Sequence, residues 1–268
     1  FAVGLAFFLM ELVWYRMLAP LLSGSSFTFG LILSVALAGV GLGGVAYALR
    51  PARRPVTLAG FALTCAIEAL LLAVPYALGD RVAFLALFLR PLAGFGFAGL
   101  VLGWTAVAAL VVLPASIVAG YQFPMLIALL GRGSADVGRH VGLAYAWNTV
   151  GAIVGSLAGG FGALPLLSAT GTWMLVVCAL AALGSLAALL AMRAGERRLT
   201  PFAIAAAALL LLASEGPTAA WRHSQIGAGR SDLKAQTPNA MRDWANQIRR
   251  TTAWAVDGVE SSVALNTG

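Results

Sequence analysis

From residue 1 to residue 214 the chain is a succession of apolar runs separated by short polar turns. Crossing the ~30 Å hydrocarbon core of a bilayer takes roughly 20 apolar residues, and backbone facing lipid must satisfy its hydrogen bonds within its own segment. Such runs therefore predict membrane-spanning helices and not strands. They cover residues 1–22, 27–49, 56–78, one segment within 97–119, 141–166, 170–192 and a short run at 199–214. The expectation is an all-α polytopic membrane protein with about seven transmembrane helices, in a range of six to eight. Residues 81–130 are too long for one crossing and are interrupted by Arg90-Pro91 and Pro114, so one crossing plus an interfacial helix is expected there. The run at 199–214 spans about 24 Å, enough to cross if the bilayer thins locally. Its alternative is to lie along the inner face.

Composition removes the soluble alternatives. The 268 residues are 60% hydrophobic and only 10% charged, with a mean hydropathy of +0.91. A globule of this size exposes too much surface for so few charges to cover. Residues 1–214 carry eleven arginines against five acids; from Glu215 onward polar and charged residues mix as in a water-exposed segment. Two parts follow: a transmembrane domain at 1–214 and a polar tail at 215–268. The net charge of +7 sits almost wholly in loops of the apolar part, where topology calls for arginine, and so does not point to nucleic acid.

Loop charge also sets an orientation. The turns around Arg50, Arg53 and Arg54, around Arg132 and Arg139, and around Arg193, Arg197 and Arg198 are positive, whereas those near 23–26, 79–81 and 166–170 carry no net charge. Positively charged short loops stay in the cytoplasm, so the N-terminus is expected on the inner side. The tail is then periplasmic if 199–214 crosses. The chain opens within an apolar stretch with no basic n-region or small-residue cleavage site, so no cleavable signal peptide is evident, and a start at Phe1 suggests trimming.

Lipid supplies little hydrophobic drive between helices, so close packing needs small residues. Gly151, Gly155 and Gly159 recur at four-residue spacing, and Gly39, Gly41, Gly43 and Gly44 crowd the end of the second run; both read as helix-packing faces within one chain. Ionisable groups in lipid need a partner or a purpose, at about 2.5–3.5 kcal/mol each on insertion scales. Glu11 is expected to face the interior, paired imperfectly with Arg16 or with another helix, and Glu68 has no local arginine. Gln122, in Tyr121-Gln122-Phe123-Pro124 after a proline-broken span, could line a site with unwound backbone. Tyr145 and Asn148 head a polar cluster in which Asn148 can hydrogen-bond across helices. Cys65 and Cys178 are expected to pack buried, and His140 and His223 lack companions for a metal or a triad. Trp221, Trp244 and Trp254 in the tail suggest docking onto the bilayer surface or onto another domain, with anchoring at the surface the favoured reading. No phosphate loop, zinc site or nucleophile elbow occurs, so no catalytic or metal-binding residue is assigned.

Several strings resemble a known family. Glu11-Leu-Val-Trp14-Tyr-Arg16-Met-Leu18, followed by Leu22-Ser-Gly24-Ser25-Ser26 and by 31–43 with its Gly39, Gly41 and Gly43, is similar to the opening two helices of bacterial fused MFS/spermidine synthase proteins. Gly120-Tyr-Gln-Phe123-Pro124 resembles that family's motif after its fourth span, and 141–155 with Tyr145, Asn148, Gly151 and Gly155 resembles its fifth-span signature, running into Phe161-Gly-Ala-Leu164-Pro165. The likeness covers residues 1–192 and implies a half-bundle of the MFS type. In the tail, Ala255–Leu265 alternates about a turn and resembles the first β-hairpin of an aminopropyltransferase domain.

What the resemblance implies is a membrane module that anchors, and feeds or drains, a transferase-like domain. The substrate decarboxylated S-adenosylmethionine belongs to the Gly-rich loop of such a domain, which these residues do not contain, so no cofactor is assigned to this chain. Its partners are the lipid bilayer, the downstream transferase-like domain and other membrane subunits. Two other readings stand beside it: a transporter moving a small organic cation such as a polyamine past Glu11 and Glu68, and a structural subunit of a larger membrane complex using its glycine faces.

Overall fold

A computed structural model describes residues 1–51, 55–131, 137–196, 198–222, 237–258 and 262–267. Arg53, Arg54, Arg132, Arg197 and His223 fall outside these. The helices are α1 (Ala2–Leu18), α2 (Ser26–Ala48), α3 (Leu58–Leu78), α4 (Arg81–Leu89), α5 (Phe97–Leu130), α6 (Val137–Ala158), α7 (Leu164–Arg193), α8 (Thr200–Leu211), α9 (Ala219–Arg222) and α10 (Pro238–Thr251). A 3-10 turn at Arg90–Phe95 links α4 to α5, and a π turn at Gly159–Ala163 links α6 to α7. The strands β1 (Thr252–Asp257) and β2 (Ser262–Asn266) pair antiparallel, with Trp254 opposite Leu265 and Val256 opposite Val263. The tail thus forms the hairpin that its alternation suggests.

Local signals explain the element ends. The Thr57 hydroxyl accepts from the Gly60 N–H at 3.1 Å and caps α3. At the start of α10 the Thr237 hydroxyl accepts from Ala240 N–H at 3.2 Å, with Pro238 in the first turn. Gly79, at φ 53°, stops α3 in a conformation that side chains resist, and its would-be Cβ would meet the Gly216 carbonyl oxygen at 2.7 Å.

The architecture is all-α and of membrane type, with one small hairpin, but the span count differs from the expected seven. Among the described residues, four helical stretches are long and apolar enough to cross a membrane: α2, α3, α5 and the joined stretch Gly138–Arg193. The apolar runs at the two ends of the series make shorter helices: α1 has 17 residues and α8 has 12, about 25 Å and 18 Å in length. The joined stretch folds back on itself. Ser168 breaks it with φ 64°, ψ 172°; Phe1 and Leu5 lie against Gly151 on one side and share a cavity of about 150 Å³ with Leu175 and Leu183 on the other.

A second correction concerns the prolines. α5 stays helical through both Pro114 and Pro124, so the proline-broken span is not found and the backbone at Tyr121–Pro124 is not unwound. Lost backbone bonds at two prolines are tolerated in a helix sandwiched between neighbours.

Close approach of backbones organises the bundle. On α2, a Cβ at Gly39 would fall 2.5 Å from the Ser116 side chain, and one at Gly43 would fall 2.0 Å from the Ile117 carbonyl oxygen of α5. From the other side, a Cβ at Gly120 would run into the Val40 backbone carbonyl. On α6, Gly151 and Gly155 abut the backbone of Phe1 and Leu5, and Gly159 meets Leu12 of α1. Gly4 of α1 returns the approach against Asn148. Gly41 and Gly44, grouped with the others by sequence, face open space; at 100° per residue they point away from the α5 contact.

The two ends of the bundle are distinct. Phe61, Met125 and Ala188 form one apolar cluster with Tyr47, Leu129 and Phe202, which gathers the end of α2, the start of α3, the ends of α5 and α7 and the start of α8. Arg50 stacks on the Tyr47 ring there at 5.1 Å. At the opposite end, Tyr76, Trp173 and Trp221 meet edge to face, at 5.9 and 6.3 Å. Outward-facing leucines such as Leu102, Leu157, Leu186 and Leu210 are exposed along the sides, a surface compatible with lipid.

The glycine contacts predict a position-specific penalty. Gly43→Ala should destabilise the protein by about 1–3 kcal/mol through overpacking against α5, whereas Gly44→Ala should leave stability unchanged. Thermal unfolding in one detergent compares them; equal effects would remove the close-approach account.

Candidate functional site

Two polar constellations occur in an otherwise apolar structure. The first lies inside the bundle. Glu68 of α3 is buried, and its Oε2 accepts from Gln122 Nε2 of α5 at 2.8 Å. Cys65, one turn earlier on α3, approaches the same nitrogen at 4.0 Å. The Gln122 carbonyl oxygen is buried and has no partner among the described residues. A buried carboxyl group and a buried amide are each expensive alone, and here they satisfy one another across two helices. Sequence spacing could not show this, because the two are 54 positions apart.

The second lies at the tryptophan end, where the polar tail meets the apolar helices. Asp80, buried at the turn between α3 and α4, accepts from the Thr218 backbone N–H at 2.9 Å and from its hydroxyl at 2.5 Å. It also pairs with Arg249 of α10 at 3.0 Å, and Arg249 reaches Glu215 at 2.9 Å. Partial burial works against the Arg249 charge, but the Asp80 hydrogen bond and charge, with Glu215 behind, hold the guanidinium above its ordinary value. Beside it, Trp221 is fully buried and its indole N–H donates to the Met17 carbonyl at 2.6 Å. Trp173 likewise donates to the Leu72 carbonyl at 3.1 Å.

Each residue singled out from the sequence has a definite place. Glu11 is half-buried and makes no hydrogen bond or ion pair among the described residues, so its expected pairing with Arg16 is not found. Arg16 turns to the tail, donating to the Gly258 carbonyl between the strands at 3.1 Å; at the end of α1 it can reach past the apolar layer. Glu68 and Gln122 are brought together. Tyr145 is exposed, with its ring edge on to Phe123 at 4.8 Å. Asn148 is half-buried beside Gly4. Gly39 and Gly43 meet α5, and Gly151, Gly155 and Gly159 meet α1. Cys65 is buried, but Cys178 is exposed, correcting the expectation that both are buried, because its position on α7 points out of the bundle. Trp221 is likewise in the core and not at a surface, since docking of the tail covers it.

Asp80, Thr218, Arg249 and Glu215 escaped sequence reasoning. Partners separated by 138 and 169 positions leave no local spacing. One signal was available: Trp244 and Ile248 recur at four-residue spacing in 238–251, an amphipathic pattern, and both pack against the bundle core. Among the described residues no group of three His, Cys, Asp or Glu could hold a metal ion. No protein-family model, curated protein or solved structure matches the chain.

The two constellations give two expectations. Gln122→Leu leaves the Glu68 carboxyl without its buried donor and should cost about 1–3 kcal/mol. Glu68→Leu combined with Gln122→Leu should recover most of that loss, and additivity of the two in a double-mutant cycle would show that they do not interact. Asp80→Ala should release α10, raising amide hydrogen exchange across 238–251 by roughly tenfold or more. Unchanged exchange would mean the tail is held by its apolar contacts alone.

Proposed function

We propose that this chain is the membrane module of an aminopropyltransferase-like fusion protein, and that it serves as a rigid mount for the polar segment that begins at residue 215. The observation that carries this reading is the clamp on that segment: Asp80 takes both Thr218 and Arg249, Trp221 is bonded to Met17, and Arg16 holds the hairpin turn. Tethering alone needs no such fixing. Anchors spread over α1, the α3–α4 turn and α10 set an orientation as well as an attachment. The resemblance of residues 1–192 to fused MFS/spermidine synthase proteins, with its MFS-like half-bundle, supplies the family, and the hairpin of β1 and β2 stands where a transferase-like domain would open.

In this reading the short helices α1 and α8 also cross, aided by local thinning. The module sits in a bacterial inner membrane with its N-terminus and arginine turns in the cytoplasm. Supporting that orientation, Arg50 lies at the end of the bundle opposite the one that carries Asp80, Ser214 and Trp221. The tail is then periplasmic, away from the cytosolic pool of decarboxylated S-adenosylmethionine, which favours a binding or scaffold module over synthesis. A second reading, transport of a small organic cation, is favoured by one observation, the buried Glu68–Gln122 pair. It requires that Glu68→Gln stop uptake in vesicles while the protein still folds.

Alkaline phosphatase fused after Gly268 should be active, and a fluorescent protein fused after Arg50 should fluoresce. The reverse pattern would overturn the orientation. A Gly-rich loop with acidic companions encoded after residue 268 is the corresponding expectation for the transferase-like partner, and an unrelated downstream sequence would end that assignment.

A further inference from the structure

Where the tail meets the bundle, a cavity of about 460 Å³ opens between the α3–α4 turn, the end of α8 and α10. Arg81, Arg242 and Arg249 line it, with Asp80 and Glu215 as its carboxylates. Both carboxylates are engaged by Arg249. Arg242 bonds only the neutral Asn239 side chain, and Arg81 has no hydrogen bond or ion pair among the described residues. Neither Arg81 nor Arg242 pairs with a carboxylate among the described residues, and three guanidiniums against two carboxylates leave the lining with a net positive charge. Ser214 adds a buried hydroxyl with no partner among the described residues, and Asn246 adds an amide. Leu78 and Phe84, on the helices that flank the α3–α4 turn, add apolar lining beside Asp80 and Arg81.

We infer that this cavity is an anion site for a phosphate group, and that the phosphate is the head of an anionic lipid. Guanidinium forks match phosphate oxygens, and hydroxyl and amide donors complete such a shell. The position favours the lipid source, since the site sits where the apolar helices meet the polar tail, with charged and apolar side chains together in its lining. Arg81 stands on α4 and Arg242 on α10, so one bound phosphate bridges the bundle to the tail. The inference does not depend on what any downstream domain does.

The test uses the whole chain in zwitterionic phosphatidylcholine doped with phosphatidylglycerol, with retained lipids counted by native mass spectrometry. Wild type should keep phosphatidylglycerol in preference to phosphatidylcholine. Arg81→Gln with Arg242→Gln should reduce that preference by roughly thirtyfold, at about 1 kcal/mol for each of the two basic residues near a lipid surface. Arg250→Gln, on the same helix but outside the cavity, should not. Asn246→Trp fills the cavity while keeping every charge and should act like the double variant. If inorganic phosphate alone raises the thermal stability of wild type and not of the double variant, and lipid preference is absent, the site holds but takes the free anion. Equal retention of both lipids together with no response to phosphate overturns the inference.

Discussion

In hydrocarbon no water is available to finish a backbone hydrogen bond, and almost everything in this structure follows from that. Each apolar run closes its bonds within a helix, which leaves helices that lipid solvates as well as their neighbours would. Association then depends on how near two backbones can come. Gly43 and Gly120 bring α2 and α5 together, while Gly151, Gly155 and Gly159 do the same for α6 and α1. Leucine-rich surfaces elsewhere on those helices stay outside, where apolar side chains lose nothing by facing lipid.

Polar groups are constrained by the same absence of water. Glu68 and Gln122 solve it by pairing in the interior. Asp80 solves it at the end of the bundle by accepting from the Thr218 N–H and hydroxyl and by pairing with Arg249. The consequence differs with position. Inside, pairing joins two helices that glycine contacts have already placed; at the end, it fastens a segment of a different chemical kind. Trp221 contributes both ways, filling the core with its ring and closing the Met17 carbonyl with its N–H.

The tail is where the two solvents meet. α10 carries Trp244 and Ile248 on the side that packs against the bundle, Arg242 and Asn246 at the edge that lines the cavity, and Arg250 exposed. A two-stranded hairpin has little stability alone. β1 and β2 are instead continuous with α10 and are held by Arg16 at Gly258.

Much of the fold was legible in the residues themselves. Run length and hydropathy indicated helices of membrane type, four-residue glycine spacing indicated close faces, and alternation around Asp257-Gly258 indicated a hairpin, because each depends on neighbours in the chain. The number of spanning helices was less accessible: the uncharged turn expected at 166–170 is where Ser168 turns the joined stretch back, but the first and last apolar runs make helices of only 17 and 12 residues, and Pro114 suggested a break that α5 does not show. The Asp80 clamp, the Glu68–Gln122 pair and the burial of Trp221 join residues 54 to 204 positions apart. Hydropathy is a property of a segment and is carried by the sequence, whereas the partner of a buried charge is a property of a meeting between segments, and only the packed chain selects it.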